Sequence, residues 1–224
     1  MQSVFAAHPK WVVSSNAVLT ADIPKHISTP AVTDIVQAAS STLLSLAKDE
    51  NFLGVQAGFT TVLHTWGANL QFHPHLHCIV AGGGLSTDGK RFICSKKSFF
   101  LPVKAMNKVF RGNFLEQLKN LFVQNQLQLP QELTSISHRQ EFLDKLYSTD
   151  WIVYCKKPFK DSYQVIRYLG RYTHRVAISD GRIVSYDTIE HKVRFKWKDY
   201  KDNNRIKIME LSAASYFMFF LQAL

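Results

Sequence analysis

The chain has 224 residues, 46% of them hydrophobic and 20% charged, a globular balance that excludes a disordered or collagen-like chain and suffices for one ordinary domain with an appendage. No apolar run reaches the ~18 residues of a membrane span and no secretory signal opens the chain, so no membrane partner is expected. Lys and Arg outnumber Asp and Glu by 27 to 17, and the excess gathers in residues 86–112 (seven basic, one acidic) and 151–201 (twelve basic, five acidic), zones that fit a polyanion's phosphates as well as they fit a solvated basic face.

In chain order, residues 1–29 form a leader punctuated by Pro9 and Pro24, with one strand expected at Trp11–Thr20. Thr29 and Pro30 make a helix start, and Val32, Ile35, Ala39, Leu43 and Leu46 recur at helical spacing behind it. Residues 51–87 contain no Asp, Glu, Lys or Arg, as expected of the middle of a sheet. A Gly67–Ala68–Asn69 break predicts a hairpin there, and Gly82, Gly83 and Gly84 are expected to end its second strand. A further hairpin is expected near Lys90–Cys94 and Phe99–Leu101. A long amphipathic helix carries the stripe Val109, Phe110, Phe114, Leu118, Leu121 and Phe122, and a shorter one covers His138–Leu146.

Trp151–Cys155 reads as a buried strand. Asp161 or Ser162 caps a helix that runs to about Tyr172. Asp180–Gly181 between Arg175–Ser179 and Arg182–Tyr186 is a strong hairpin signal. Strands follow at His191–Trp197 and Arg205–Leu211, and Ser212 caps a last helix, apolar on nearly every side, whose composition predicts a longer parent chain. The expected organisation is a leader over 1–29, one domain over 30–211 and the start of a truncated helix over 212–224. The three cysteines, Cys78, Cys94 and Cys155, have no metal-ligand spacing. Their odd number argues against a disulfide framework and for a reducing cytoplasm.

The segment Asn69–Val80 holds the first chemistry. Leu70, Phe72, Pro74, Leu76, Cys78 and Val80 take the even positions; Gln71, His73, His75, His77 and Ile79 take the odd ones. In a strand the even set faces a core and the odd set makes a row of imidazoles. His75 and His77 lie roughly 6–7 Å apart on that row, close enough to chelate one cation. Three histidines at period two, backed by a clean apolar face, point to a metal site more than to structural histidines.

The segment Tyr163–Arg175 holds the second. Tyr168 and Tyr172 stand at i and i+4 on one helical face, beside a row of Arg167, Arg171 and Arg175. Two phenols along guanidiniums fit a phosphate-handling face; alone, they fit ordinary packing and solvation equally well.

Together these segments resemble the His–hydrophobe–His (HUH) rolling-circle nucleases, and more narrowly the two-tyrosine transposases of rolling-circle insertion sequences. The strings that carry the resemblance are VLHTWGANLQFHPHLHCIVAGGG, FFLPVKAMNKVFRGNFL, WIVYCKKPF and VIRYLGRYTHRVAIS, in order from about Leu53 to Tyr200. The resemblance implies an α+β fold, a central antiparallel sheet with helices packed on one side and histidines facing the tyrosine helix. It implies His75 and His77 as metal ligands, Mg²⁺ or Mn²⁺ as the ion, and Tyr168 and Tyr172 as paired nucleophiles. It further implies nicking and rejoining of single-stranded DNA at transposon ends through a 5′-phosphotyrosine. A third ligand is expected from His64, His73, Gln71 or His174, with His64 preferred. Lys156, Lys157, Arg167, Arg171 and Arg175 are the expected phosphate contacts. A partial or inactive gene product, a DNA-binding remnant without catalysis and a replication initiator with the same chemistry stay open as alternatives.

Overall fold

The structure is a computed structural model. It describes residues 14–20, 29–70, 72–95, 100–127, 129, 131–149, 151–155, 158–159, 161–173, 178–199 and 202–221. These residues form an α+β fold whose chain divides into two compact units. One comprises Met1–Leu63 and His75–Tyr168, the other His64–Pro74 and Leu169–Leu224.

The first unit is built on a five-stranded sheet. Its strands are β1 (Ser14–Thr20), β2 (Val55–Trp66), β3 (Phe72–Ser86), β4 (Phe92–Cys94) and β5 (Ile152–Cys155). The order is β2-β3-β1-β5, with β4 also on β3. β1 pairs antiparallel with both β3 and β5, and β4 is antiparallel to β3. The leader strand, expected at Trp11–Thr20, is therefore central to the sheet, and its described part begins at Ser14.

Helices α1 (Thr29–Lys48), α2 (Val103–Val123) and α3 (Ile136–Ser148) belong to the same unit. The stripe read from the sequence is the face that α2 buries: Phe110, Phe114, Leu118, Leu121 and Phe122 are buried, together with Met106 and Leu115. They meet Ile35, Ala39, Leu43 and Leu46 of α1 and Leu76, Cys78 and Val80 of β3 in one core. Polar ties fix the layers. The Thr42 hydroxyl donates to the Ala38 carbonyl at 2.7 Å and accepts from the Asn113 amide at 3.0 Å. The Asn107 amide donates to the Trp151 carbonyl, and the Trp151 indole donates to that of Leu146 at 2.9 Å. α3 starts where Ser135 accepts the His138 N–H at 3.2 Å.

Three expectations in this unit need correction. Gly82–84 do not end the second hairpin strand, which continues to Ser86. A Cβ on Gly84 would overlap the Gln56 carbonyl and the Val55 side chain, and one on Gly83 would overlap the backbone of Ile93. Glycines here let β2 and β4 come close to β3 rather than breaking it. Phe100 and Leu101 are core residues in a bend and not a strand; Phe99 lies outside the described residues. Trp151–Cys155 is not buried throughout, since Ile152 and Tyr154 point to solvent and only Trp151 and Val153 are fully inside.

In the second unit, β6 (Ile183–Asp187), β7 (Lys192–Asp199) and β8 (Arg205–Ser212) form an antiparallel sheet in that order. α5 (Ala213–Leu221) follows, and Ser212 caps it as expected, accepting the Ser215 N–H at 3.2 Å. A small core joins Trp66, Leu70, Ile178 and Phe195. Of the strand expected at Arg175–Ser179, only Ile178 and Ser179 are among the described residues, and neither is in a strand. Asp180–Arg182 is a single 3-10 turn, and Arg182 leaves it to donate to the carbonyls of Lys196 and Ala68 at 2.7 and 2.5 Å. A hairpin lies one strand later, where Asp187 accepts the N–H groups of Ile189 and Glu190 at 2.8 and 2.9 Å. Those two bonds hold the Asp187 carboxyl below its ordinary pKa. No helix among the described residues is long and apolar enough to cross a membrane.

Candidate metal and tyrosine site

β3 sorts its side chains as its alternation demands. Leu76, Cys78 and Val80 enter the core, and the odd positions take the other face of the sheet. β1 fixes this strand from the side, with Thr20 opposite His75 and Val18 opposite His77. The rings of His75 and His77 stand nearly edge to face at 5.0 Å. His64, on β2 of the same hairpin, joins them: one ring nitrogen from each of the three lies within 4.8 Å of the others. His64 is 2% exposed and His77 7%. After Trp66 the chain turns with Leu70 at φ 59°, its N–H donating to the Gly67 carbonyl at 3.0 Å.

The tyrosine helix, α4 (Ser162–Thr173), begins at the carboxylate of Asp161, which accepts the Gln164 N–H at 2.8 Å. Of the two capping residues the sequence offered, Asp161 supplies the side chain, as a negative charge at a helix start should. About two turns later Tyr168 is 4% exposed. Its hydroxyl makes a 2.9 Å hydrogen bond with Nδ1 of His77. The phenol donates if Nδ1 is bare and accepts if Nδ1 carries the proton. The two rings meet edge to face at 6.3 Å, and the Phe159 ring packs at a tilt against Tyr168, 5.3 Å between centroids.

The histidine cluster fits a divalent cation. Ligand nitrogens about 2.0–2.1 Å from one ion lie roughly 3–4 Å apart, so nitrogens already within 4.8 Å need only small ring rotations. Three imidazoles suit a transition ion such as Mn²⁺ better than Mg²⁺, a hard cation that prefers oxygen. With Nδ1 of His77 engaged by Tyr168, the opposite ring nitrogen, Nε2, would be the one offered to an ion, and the phenol would orient the ring.

The remaining sequence candidates divide by placement. Arg167 is exposed on α4. Tyr172 and Arg171 belong to α4 by their backbone, as His73 does to β3, but their side chains are outside the described residues, as are Lys156, Lys157, Gln71, His174 and Arg175 altogether. Sequence reasoning missed Phe159, whose only signal was an aromatic after Pro158 just ahead of the helix.

Comparison with known proteins points the same way. Residues 58–223 match the family described as "Putative transposase". The chain is 45% identical over 190 residues to "Putative transposase y4qJ" of Sinorhizobium fredii, covering 84% of this chain and 47% of that protein. It is 25% identical over 173 residues to "Transposase for insertion sequence element IS801" of Pseudomonas savastanoi pv. phaseolicola, covering 75% of this chain and 39% of that one. The chain thus spans less than half the length of these curated relatives. No solved structure matches it. The family match covers far more than half of the chain and includes both the histidine hairpin and the tyrosine helix, so the protein belongs to the transposase family that those two segments resemble.

Proposed function

We propose that this chain is the nuclease core of a DNA transposase, nicking and rejoining single-stranded DNA at transposon ends through a 5′-phosphotyrosine. The observation that carries the reading is the convergence at His77: a phenol hydroxyl 2.9 Å from one side of a ring that also belongs to a three-imidazole cluster. Membership of a transposase family supports it.

The phenol oxygen of Tyr168 or Tyr172 forms a bond to phosphorus, and the bond from phosphorus to the 3′ oxygen breaks. The phenolic proton passes to water, the departing 3′ oxygen takes up a proton, and one phosphodiester is exchanged for another. Rejoining is the reverse attack by a 3′-hydroxyl and needs no nucleotide cofactor. A second tyrosine allows a second exchange while the first still holds its strand. A divalent cation on His64, His75 and His77 would supply Lewis-acid polarisation of a non-bridging phosphate oxygen. Arg167, with Arg171, Arg175, Lys156 and Lys157, offers cations to the flanking phosphates.

The test is covalent capture. The chain is incubated with Mn²⁺ and a labelled single-stranded oligonucleotide carrying a transposon end, then resolved in SDS. A labelled, SDS-stable protein band is expected, absent from the Tyr168→Phe/Tyr172→Phe double variant. A band that survives in the double variant overturns the nucleophile assignment. Binding of the DNA without any band makes the chain a DNA-binding remnant.

A further inference from the structure

β5 is a short strand with an unexpected outer face. Val153 and half-buried Cys155 point into the core, whereas Ile152 and Tyr154 are 62% and 55% exposed. An open sheet face normally carries polar residues, and leaving two large apolar side chains in water costs the fold the burial each would gain elsewhere. The register shows which face they occupy. Val18 of β1 is opposite His77 on one side and Tyr154 on the other; Thr20 is opposite His75 on one side and Ile152 on the other. Residues directly opposite in adjacent strands share a face, so Tyr154 and Ile152 belong to the face of the two histidines. They lie two strands away, roughly 9–10 Å at ~4.8 Å per strand.

We propose that Tyr154, flanked by Ile152, is a stacking platform for an unpaired nucleobase of the DNA strand whose phosphate is held at the histidine cluster. The proposal rests on the reading above that the chain acts on single-stranded DNA. The distance is one to two nucleotide steps along an extended strand, so the base belongs to a nucleotide flanking the scissile phosphate. An aromatic face takes any base by stacking, while Ile152 offers an aliphatic surface to the neighbouring sugar. The platform selects unpaired DNA over duplex because only an unstacked base presents its face.

The experiment uses the whole chain with EDTA, so that no strand is cut. Single-stranded oligonucleotides carry 2-aminopurine at successive positions around the transposon-end junction. Wild-type protein is expected to quench the probe most strongly at one position within two nucleotides of the junction. Tyr154→Ala is expected to abolish that quench and weaken binding roughly five- to hundredfold, the range for losing one stacked base. Tyr154→Phe restores both. Tyr154→Leu, which keeps the bulk and loses the ring face, restores neither, and this separates stacking from a merely structural role. An unchanged quench and affinity in Tyr154→Ala overturns the platform and leaves the transposase reading standing. Failure of the wild-type chain to bind any of the oligonucleotides overturns both.

Discussion

The hydroxyl of Tyr168 and Nδ1 of His77 lie 2.9 Å apart in a buried contact between residues 91 positions apart in sequence. This bond ties the helix of the phenols to the strand of the imidazoles. Removing the hydroxyl leaves a buried imidazole nitrogen without that bond, a loss worth about 1–2 kcal/mol. Tyr168→Phe should therefore lower the unfolding free energy by that amount, read as a lower urea midpoint with the slope unchanged, and His77→Ala should cost more because a cavity is added. Identical midpoints for Tyr168→Phe and the parent protein would show that the bond contributes nothing.

The histidine cluster should respond to divalent ions in a way that separates them. Mn²⁺ is expected to raise the melting temperature well above what equal Mg²⁺ achieves, since ion binding to the folded state alone stabilises it by mass action. His64→Ala, His75→Ala and His77→Ala should each shrink the effect. Equal shifts from both ions, or a shift that the triple variant retains, would refute a three-imidazole site.

Cys78 gives a pH signature. Burial, with a smaller contribution from Cys155, pushes its thiol up to about 12 from an ordinary value of 9.0. Above pH 9 the unfolded chain releases this proton while the folded chain keeps it, so the unfolded state binds fewer protons and stability falls as pH rises. The decline should run at up to about 1.4 kcal/mol per pH unit from roughly pH 9 towards pH 12 and be removed in Cys78→Ala. Alkylation at pH 8 should label exposed Cys94 and leave Cys78 unlabelled until the protein unfolds.

The α1–α2 core is a packing prediction. Phe114 is fully buried and stacks at a tilt on Trp151, 5.2 Å between centroids. Phe114→Ala should cost about 3–5 kcal/mol in chemical denaturation, whereas exposed Tyr147→Ala should cost far less.

Gly84 tests the close approach of β2 to β3. Since a Cβ there would overlap the Gln56 carbonyl and Val55, Gly84→Ala should destabilise by about 1–3 kcal/mol. Gly58→Ala, with open space around it, should be nearly neutral by thermal melting.

Local physics made much of this protein legible from its residues alone. Helical spacing placed the buried faces of α1 and α2, and alternation over 75–80 placed imidazoles and core residues on opposite faces of β3. Those patterns survive folding because they describe what one element must bury. The 3-10 turn at Asp180–Arg182 was not legible, since Arg182 there donates to the carbonyls of Ala68 and Lys196, distant residues that no dipeptide reports. The chain hid that β1 lies between β3 and β5 and that Tyr154 and Ile152 face outward on the side of His75 and His77. Each of these depends on strand order and register, set by which long-range pairings bury the most apolar surface, and only the folded sheet decides that.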